Sequence, residues 1–408
     1  MKNESSTTNK RLGPLTHLKV IDIATIIAGP LSAGLLADFG ADVLKVELPK
    51  KGDGLRNLRP IKDGVSLWSK VINRNKRGIT LDLRQPGGKD LFLKLVEEAD
   101  VVIENFRPGT LEKWGLSPEV LHKYNPSLTI LRVSAFGQEG PYAAKPGFAR
   151  IADAMSGFLS LCGEKDGPPL HPGYPIADSV TGLFGVVGVL MALVEKGQNH
   201  GAPGQVVCVS LFESMFRIMD FMPIEYDQLG CIRERSGNQN PYAAPGNCFL
   251  SKDGHWCTLA ASTQSIFERL MIAIDHPHLI NDHRFIKNKE RLENSKFLDQ
   301  IISKWFSVRD ADSACFDLES HGVSCARVRT MEDIFSDPHV EQTDMLISLK
   351  DKELGTVRMQ GITPRFSRTP GEIRHPGPEM GQDNDRVFRD EMNLDNETIN
   401  QLSEKGAI

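Results

Sequence analysis

The chain offers little that would announce a metal, redox or secreted function. Its seven cysteines, at 162, 208, 231, 248, 257, 315 and 325, are an odd number without a C-x-x-C pair. No Cys/His spacing suits zinc, so no metal site is expected and a reducing, cytoplasmic setting fits. The eleven histidines are equally dispersed, and His276 and His278 flank Pro277 in what reads as a loop. Excess charge of one sign is missing too: 48 basic against 53 acidic residues give a net charge of -5. That balance gives no reason to expect nucleic acid or an anionic membrane as partner. The N-terminus, MKNESSTTNKRLGPL, lacks the apolar core of a signal peptide. The most apolar run, residues 183–194, falls short of the ~20 residues that span a bilayer. Neither an internal repeat nor a low-complexity tract is visible.

What is there is 408 residues with 40% hydrophobic and 25% charged content, the make-up of a globular protein. At roughly 100–200 residues per domain, two or three domains are expected. From Leu18 onward, short β-type runs alternate with amphipathic helical ones. Residues 20–23 read as a buried strand, Ala28-Gly29-Pro30 as a turn, 31–39 as a helix closed by Gly40, and 42–46 as the next strand. Further strands read at 79–83, 101–104, 128–133 and 205–210, with a long apolar helix at 178–194. Ser117 followed by Pro118 is an N-cap with the residue best suited to the first helical position. Repeated βαβ units need right-handed crossovers and a parallel sheet covered on both faces. The fold class is therefore α/β, a Rossmann-like doubly wound large domain plus a smaller α+β domain. The sequence divides into 1–225 (N-terminal part of the large domain), 226–249 (connecting arm) and 250–345 (small domain). Residues 346–408 are the return arm and the C-terminal part of the large domain.

A doubly wound sheet invites a dinucleotide, but the first βα turn lacks G-x-G-x-x-G, and Glu47 after the second strand is one acid alone. Nicotinamide and flavin are not expected. Arg74-Asn75-Lys76-Arg77, with Arg84, Arg107, Lys113 and Lys145, admits two readings. One is solvated surface charge; the other is a cradle for a phosphate-rich ligand at the carboxyl ends of the strands. Asn105-Phe106-Arg107-Pro108-Gly109 offers an amide, an aromatic face and a guanidinium together, suited to a nucleotide. Asp178 has the residue type of a helix N-cap. A helix N-terminus also favours the ionised carboxylate that nucleophilic attack requires, so the two roles are compatible. Arg233, Arg235, Asn238, Asn240 and Tyr242 lie in a Gly/Pro/Asn-rich connection. They are either solvated linker or a means of gripping a dicarboxylate bidentately.

The order and spacing of several segments carry a resemblance. They are Ala28-Gly29-Pro30, Gly40-Ala41-Asp42-Val43-Leu44-Lys45-Val46-Glu47, Asn73-Arg74-Asn75-Lys76-Arg77 and Glu104-Asn105-Phe106-Arg107-Pro108-Gly109. Ala154-Met155-Ser156-Gly157 and Ala177-Asp178-Ser179-Val180-Thr181-Gly182 complete the set. From Leu18 to the C-terminus the chain resembles the class III CoA-transferase (CaiB/BaiF) family. The resemblance implies an interlocked homodimer in which Asp178 is the nucleophile. It implies an acyl-aspartyl anhydride, an aspartyl-CoA thioester and no permanently bound cofactor, with coenzyme A or acyl-CoA present only as substrate. The partners are then an acyl-CoA donor and a carboxylic acid acceptor, one of them expected to be a small dicarboxylate such as succinate. By the same analogy CoA runs along Ala28, Leu81, Asp82, Leu83, Arg84, Asn105, Phe106, Arg107, Lys113 and Lys145. Ile27 stands where some members have a reaction-centre Gln, and Leu48 where some have a CoA-binding Arg. The Gly-rich lid of formyl-CoA transferase has no counterpart, which argues against formyl-CoA and oxalate. Two alternatives share the fold. An α-methylacyl-CoA racemase-type isomerase needs a second acid/base where this chain has Phe148, with His171 the nearest substitute. A non-catalytic CoA-binding protein has no need of Asp178.

Overall fold

The structure, a computed structural model, describes residues 13–199 and 201–408. The chain forms two units. One gathers the chain up to Phe158 with Pro172–Ile224 and Gln342–Ile408, the other Leu159–His171 with Glu225–Glu341.

In the first unit the short apolar runs become β1 (Lys19–Asp22), β2 (Asp42–Glu47), β3 (Arg77–Thr80), β4 (Val101–Glu104), β5 (Thr129–Ser134) and β6 (Val206–Ser210). All neighbours pair parallel, in the spatial order β3-β2-β1-β4-β5-β6. That is the doubly wound order, whose direction reverses between β1 and β4 and opens a crevice at the carboxyl ends there. Every residue of β4 and β5 is buried, as strands covered on both faces must be. The strand expected at 79–83 begins and ends earlier. Asp82 turns out of the sheet because its N–H donates to the Ala407 carbonyl at 2.8 Å. The chain beyond Asn384 covers this edge. Asp383 and Asn384 accept from the Gly78 and Thr80 N–H groups at 2.8 and 2.9 Å, and Val387 and Phe388 enter the core beside Ile79 and Phe92. An edge strand so occupied has no row of free donors to recruit another chain.

The helices that matter here are α1 (Ala28–Asp38), α2 (Pro86–Glu97), α3 (Ala149–Met155) and α4 (Ile176–Gln198). The helix expected at 178–194 runs further at both ends. α4 has 23 residues and an 18-residue stretch of mean hydropathy 1.9, by length and composition enough to cross a bilayer. Its glycines decide where it packs. A Cβ on Gly182 would lie 3.1 Å from the Ala28 carbonyl oxygen, and one on Gly185 would lie 2.7 Å from Ser32 Oγ. Small residues there let α4 lie close on α1, and Ser32 Oγ donates to the Gly182 carbonyl at 2.9 Å. On the other face Leu183, Val187, Met191 and Val194 form an exposed apolar stripe at helical spacing.

The second unit is built on an antiparallel sheet of β7 (Gly246–Leu250), β8 (Trp256–Ala260) and β9 (Ser324–Arg327), with β8 central. Phe249, Leu259, Phe267, Leu270 and Phe306 form its core. Two boundaries differ from the sequence reading. Leu159–His171 belongs here and not with 1–225, because the Gly237 N–H donates to Gly163 O at 3.0 Å and Arg235 Nε to Glu164 O at 3.2 Å. Residues 226–249 are not a plain arm, since they contain the end of a helix, Met222–Leu229, and most of β7.

Candidate active site

The crevice beyond the carboxyl ends of β1 to β4 holds a cavity of about 130 Å³. Ile23, Val46, Leu81 and Leu83 give it apolar walls, and Phe106 meets Trp114 edge-on across 4.9 Å. Such a slot, apolar on its sides and aromatic at one end, fits a flat ring. Arg84 stands at its exposed edge, paired to Asp82 through Nε–Oδ1 and Nη2–Oδ2 contacts of 2.7 Å each. The guanidinium holds the Asp82 carboxyl below the usual carboxylate range.

Beneath the cavity lies a buried ion network. Lys45 and Lys76 are fully buried, as is Asp22, and Asp53 nearly so. Lys45 Nζ is 3.0 Å from Asp53 Oδ2 and 3.8 Å from Asp22 Oδ2, and also donates to the Ala24 carbonyl. Lys76 Nζ donates to Asp22 Oδ2 (2.8 Å), the Pro30 carbonyl (2.7 Å) and Asn73 Oδ1 (2.8 Å). Burial opposes charge on Lys45, but Asp22, Asp53 and Glu47 outweigh it and raise its pKa. Burial wins at Lys76, whose pKa falls to about 8. This corrects the reading of Arg74-Asn75-Lys76-Arg77 as solvated charge or phosphate cradle. Lys76 is internal, Arg74 binds Asp38 at 2.6 Å, and Arg77 binds Asp42 and Glu391 at 2.9 and 2.8 Å. Glu47 is likewise neither a ribose ligand nor a solvated strand end. It is 4% exposed and accepts from Arg56 at 2.6 and 2.7 Å.

Asp178 occupies the first turn of α4. It makes no side-chain cap, so the N-cap role suggested by residue type is not the one the structure gives it. At i, i+4 and i+7, Asp178, Gly182 and Gly185 share a helix face, and the glycines of that face rest on the start of α1. Asp178 therefore lies on the face of α4 that rests on α1. Burial, and next to it the charge of the fully buried Asp153 on α3, pushes its pKa up to about 7.

The other sequence-derived residues fall into three groups. Leu81, Asp82, Leu83, Arg84 and Phe106 line the cavity. Ala28 is the buried first residue of α1, off the cavity wall but against α4. Asn105 is turned inward: its Oδ1 accepts from Thr25 N and its Nδ2 donates to Thr25 O, both at 2.7 Å, so its amide holds the β1–α1 turn. Arg107, Lys113 and Lys145 are exposed and do not line the cavity, and Lys145 Nζ lies 3.6 Å over the Tyr142 ring. Arg233 is engaged within its own unit, bidentate to Glu225 and 4.3 Å from the ring of Tyr242. Sequence reasoning missed Trp114, Asp53 and Lys45. Trp114, eight positions after Phe106, is signalled only as a second aromatic near the same strand end, whereas nothing local marks Asp53 as reaching Ile26.

Comparison with known proteins agrees with this geometry. A family model described as CoA-transferase family III matches residues 15–384. The chain is 41% identical over 396 residues to a succinyl-CoA–D-citramalate CoA-transferase of Chloroflexus aurantiacus, covering 97% of this chain and 98% of that one. It is 35% identical to a succinate–glutarate CoA-transferase of Agrobacterium fabrum, over 93% and 96% of the two chains. A CaiB/BaiF family protein from Brucella suis superposes with a TM-score of 0.83 at 31% identity, over 93% of this chain and all of that one. A sheet in doubly wound order, a cavity at its switch point and these matches along nearly the whole length place the chain in CoA-transferase family III, as an enzyme.

Proposed function

We propose that the chain moves CoA from an acyl-CoA thioester to a free carboxylic acid through covalent intermediates on Asp178. The observation that carries this reading is the Asp178 carboxylate, half-buried on the face of α4 that packs on α1, with its pKa pushed up to about 7 by burial and the charge of Asp153. Burial strengthens it as a nucleophile once ionised, and exclusion of water protects an anhydride from hydrolysis. A carboxylate oxygen of Asp178 attacks the donor thioester, the C–S bond breaks, and an acyl-aspartyl anhydride and CoA thiolate result. The thiolate attacks the aspartyl carbonyl, releasing the donor acid and leaving an aspartyl-CoA thioester. The acceptor carboxylate displaces the thiolate to form a second anhydride. Thiolate attack on the acceptor's carbonyl then yields the new acyl-CoA and restores Asp178. Each step exchanges one activated acyl bond for another.

The adenine end of CoA fits the slot between Leu81, Leu83 and Phe106, with Arg84, Arg107, Lys113 and Lys145 as the cations for its phosphates. The relatives' names favour succinyl-CoA as donor and a small dicarboxylate as acceptor. Arg233 is bound to Glu225 within its own unit, so its guanidinium is already occupied and is a poor candidate for the acceptor's free carboxylate. The exposed stripe of α4 supports a homodimer, since a stripe this apolar is stable in water only when covered. The racemase alternative gains nothing, because Phe148 is an exposed phenyl ring with no proton to transfer. The test is intact-protein mass spectrometry after mixing with a panel of acyl-CoAs and quenching with hydroxylamine. A hydroxamate mapped to Asp178 and absent from Asp178→Ala supports the reading and names the donor. CoA binding without any adduct refutes it.

A further inference from the structure

The turn between β1 and α1 is held more tightly than any connection of its length requires. The Ala24 N–H donates to Asp22 Oδ1 at 3.1 Å, and the Ala24 carbonyl accepts from Lys45. Both backbone groups of Thr25 bind the Asn105 amide at 2.7 Å. The Ile26 N–H donates to Asp53 at 3.0 Å from Oδ1 and 3.2 Å from Oδ2. Each successive polar group is thus gripped by a side chain, and three of the four side chains come from distant segments. The residue at the centre is also the wrong type for its conformation. Ile26 has φ +68°, a left-handed backbone that a β-branched side chain disfavours and adopts only when its surroundings impose it.

Asp53 is the imposing group. It is 2% exposed, and its oxygens are spent on Ile26 N, on Leu55 N at 2.9 Å and on Lys45. No lone pair is left turned toward a ligand, and a carboxylate would in any case repel phosphates. Yet Asp53, Gly52 and Thr25 back the cavity wall, so the same short loop touches both the cavity and the turn. The turn in its turn sets the start of α1, whose Ala28 carbonyl lies against the Asp178 face of α4.

We propose that Asp53 is a positioning residue for CoA transfer: by holding the Ile26 N–H it locks the β1–α1 turn in the conformation that fits the start of α1 to Asp178. The proposal rests on Asp178 being the nucleophile. Its charge is balanced within the network, where Asp22, Asp53 and Glu47 face Lys45, Lys76 and Arg56. The loop therefore neither attracts nor repels the acyl-CoA as a whole. Loss of Asp53 accordingly acts on the rate of the chemical steps and much less on CoA affinity.

The experiment compares wild type, Asp53→Ala, Asp53→Asn and Ile26→Pro in the full-length protein, reading kcat, KM for acyl-CoA, the hydroxylamine-trapped adduct and thermal melting. Misplacing a reacting group by about 1 Å costs on the order of 10²-fold, so Asp53→Ala is expected to lose roughly that in kcat while KM changes less than about 3-fold. Asn keeps an oxygen acceptor for Ile26 and is expected to restore most of the rate. Pro at position 26 lacks the N–H and cannot adopt φ +68°, so it reproduces the loss with Asp53 intact, even where the Asp53 variants do not fold. A kcat within twofold of wild type in Asp53→Ala or in Ile26→Pro overturns the proposal, as does a melting change with no change in kcat. An adduct at Asp178 in wild type together with an unaffected Asp53→Ala defeats the positioning role alone. Absence of the adduct in wild type defeats both.

Discussion

Two sets of basic side chains in this protein look alike in the sequence and do opposite things. Lys45, Lys76 and Arg74 lie inside the first unit, each against a carboxylate and each holding backbone carbonyls. Arg107, Lys113 and Lys145 stand exposed. The difference is made by neighbours remote in the chain. Lys45 follows the alternation of β2 into the face below α1, where Asp22 and Asp53 await it. A lysine in a strand between apolar residues is thereby committed to the interior, and only an acid from another strand makes that tolerable. Lys113, on a short helix after the Arg107-Pro108-Gly109 turn, meets no such demand. Of the buried set, Lys45 and Lys76 hold carbonyls of the β1–α1 turn and the start of α1; the exposed set faces solvent.

The comparison breaks most visibly if the buried cations are dispensable. Lys76→Met keeps the side chain's bulk but removes the 2.8 Å cation from Asp22, leaving it Lys45 at 3.8 Å, and frees the Pro30 carbonyl. Removing one member of a buried pair costs about 3–5 kcal/mol. Equilibrium denaturation should show that loss. An unchanged midpoint would mean that the network is not what holds the β1–α1 turn.

A pair of like charge, buried Asp153 and half-buried Asp178, sharpens the contrast. Burial, and after it the charge of Asp153, pushes the Asp178 pKa up to about 7. Transfer needs the ionised form, and kcat/KM should fall about tenfold per pH unit below that pKa. Asp153→Asn removes the opposing charge and should move the acid limb to lower pH; a limb that stays in place removes Asp153 from the account. Stability runs the other way. The folded chain retains a proton on Asp178 that the unfolded chain releases from about pH 4, so this group's contribution is lost as pH rises through 7. Asp178→Asn should be more stable than wild type above pH 7, with the gap closing toward pH 4.

What was legible in the sequence follows the same division between local and remote causes. The strands of the sheet were legible because β4 and β5, buried on both faces, leave continuous apolar runs. The switch-point crevice follows from strand order, and Leu81, Leu83 and Phe106 follow from being next after strand ends. Asp53 was not legible. Its importance comes from β2 and β1 lying side by side, so that a loop residue after one reaches the backbone after the other. Leu159–His171 escaped for a like reason, since its ties to Gly237 and Arg235 span more than sixty positions. The last turn of α4 escaped because Glu195, Lys196 and Gln198 end the apolar run without ending the helix.

The exposed set should answer differently from the buried one in every respect. Arg107→Ala and Lys113→Ala should leave melting within a degree or two, since exposed charges contribute about 0–1 kcal/mol to stability. Their effect belongs in KM for acyl-CoA, raised about 5–10-fold each and shrinking with added salt, because the pairing they make is with phosphate across solvent. Arg84 should show the smallest change. It is exposed like the others, but its guanidinium already lies bidentate on Asp82, so a phosphate gains a cation half-neutralised in advance. Arg84→Ala is expected to raise KM about 2–3-fold with little salt dependence. Asp82→Asn, which frees the guanidinium, should lower KM and restore the salt dependence. The two variants moving KM in opposite directions would place Arg84 between the two classes, exposed by position and partnered by geometry. Both raising it equally would mean that the pair acts as one fixed edge of the slot and not as a phosphate ligand.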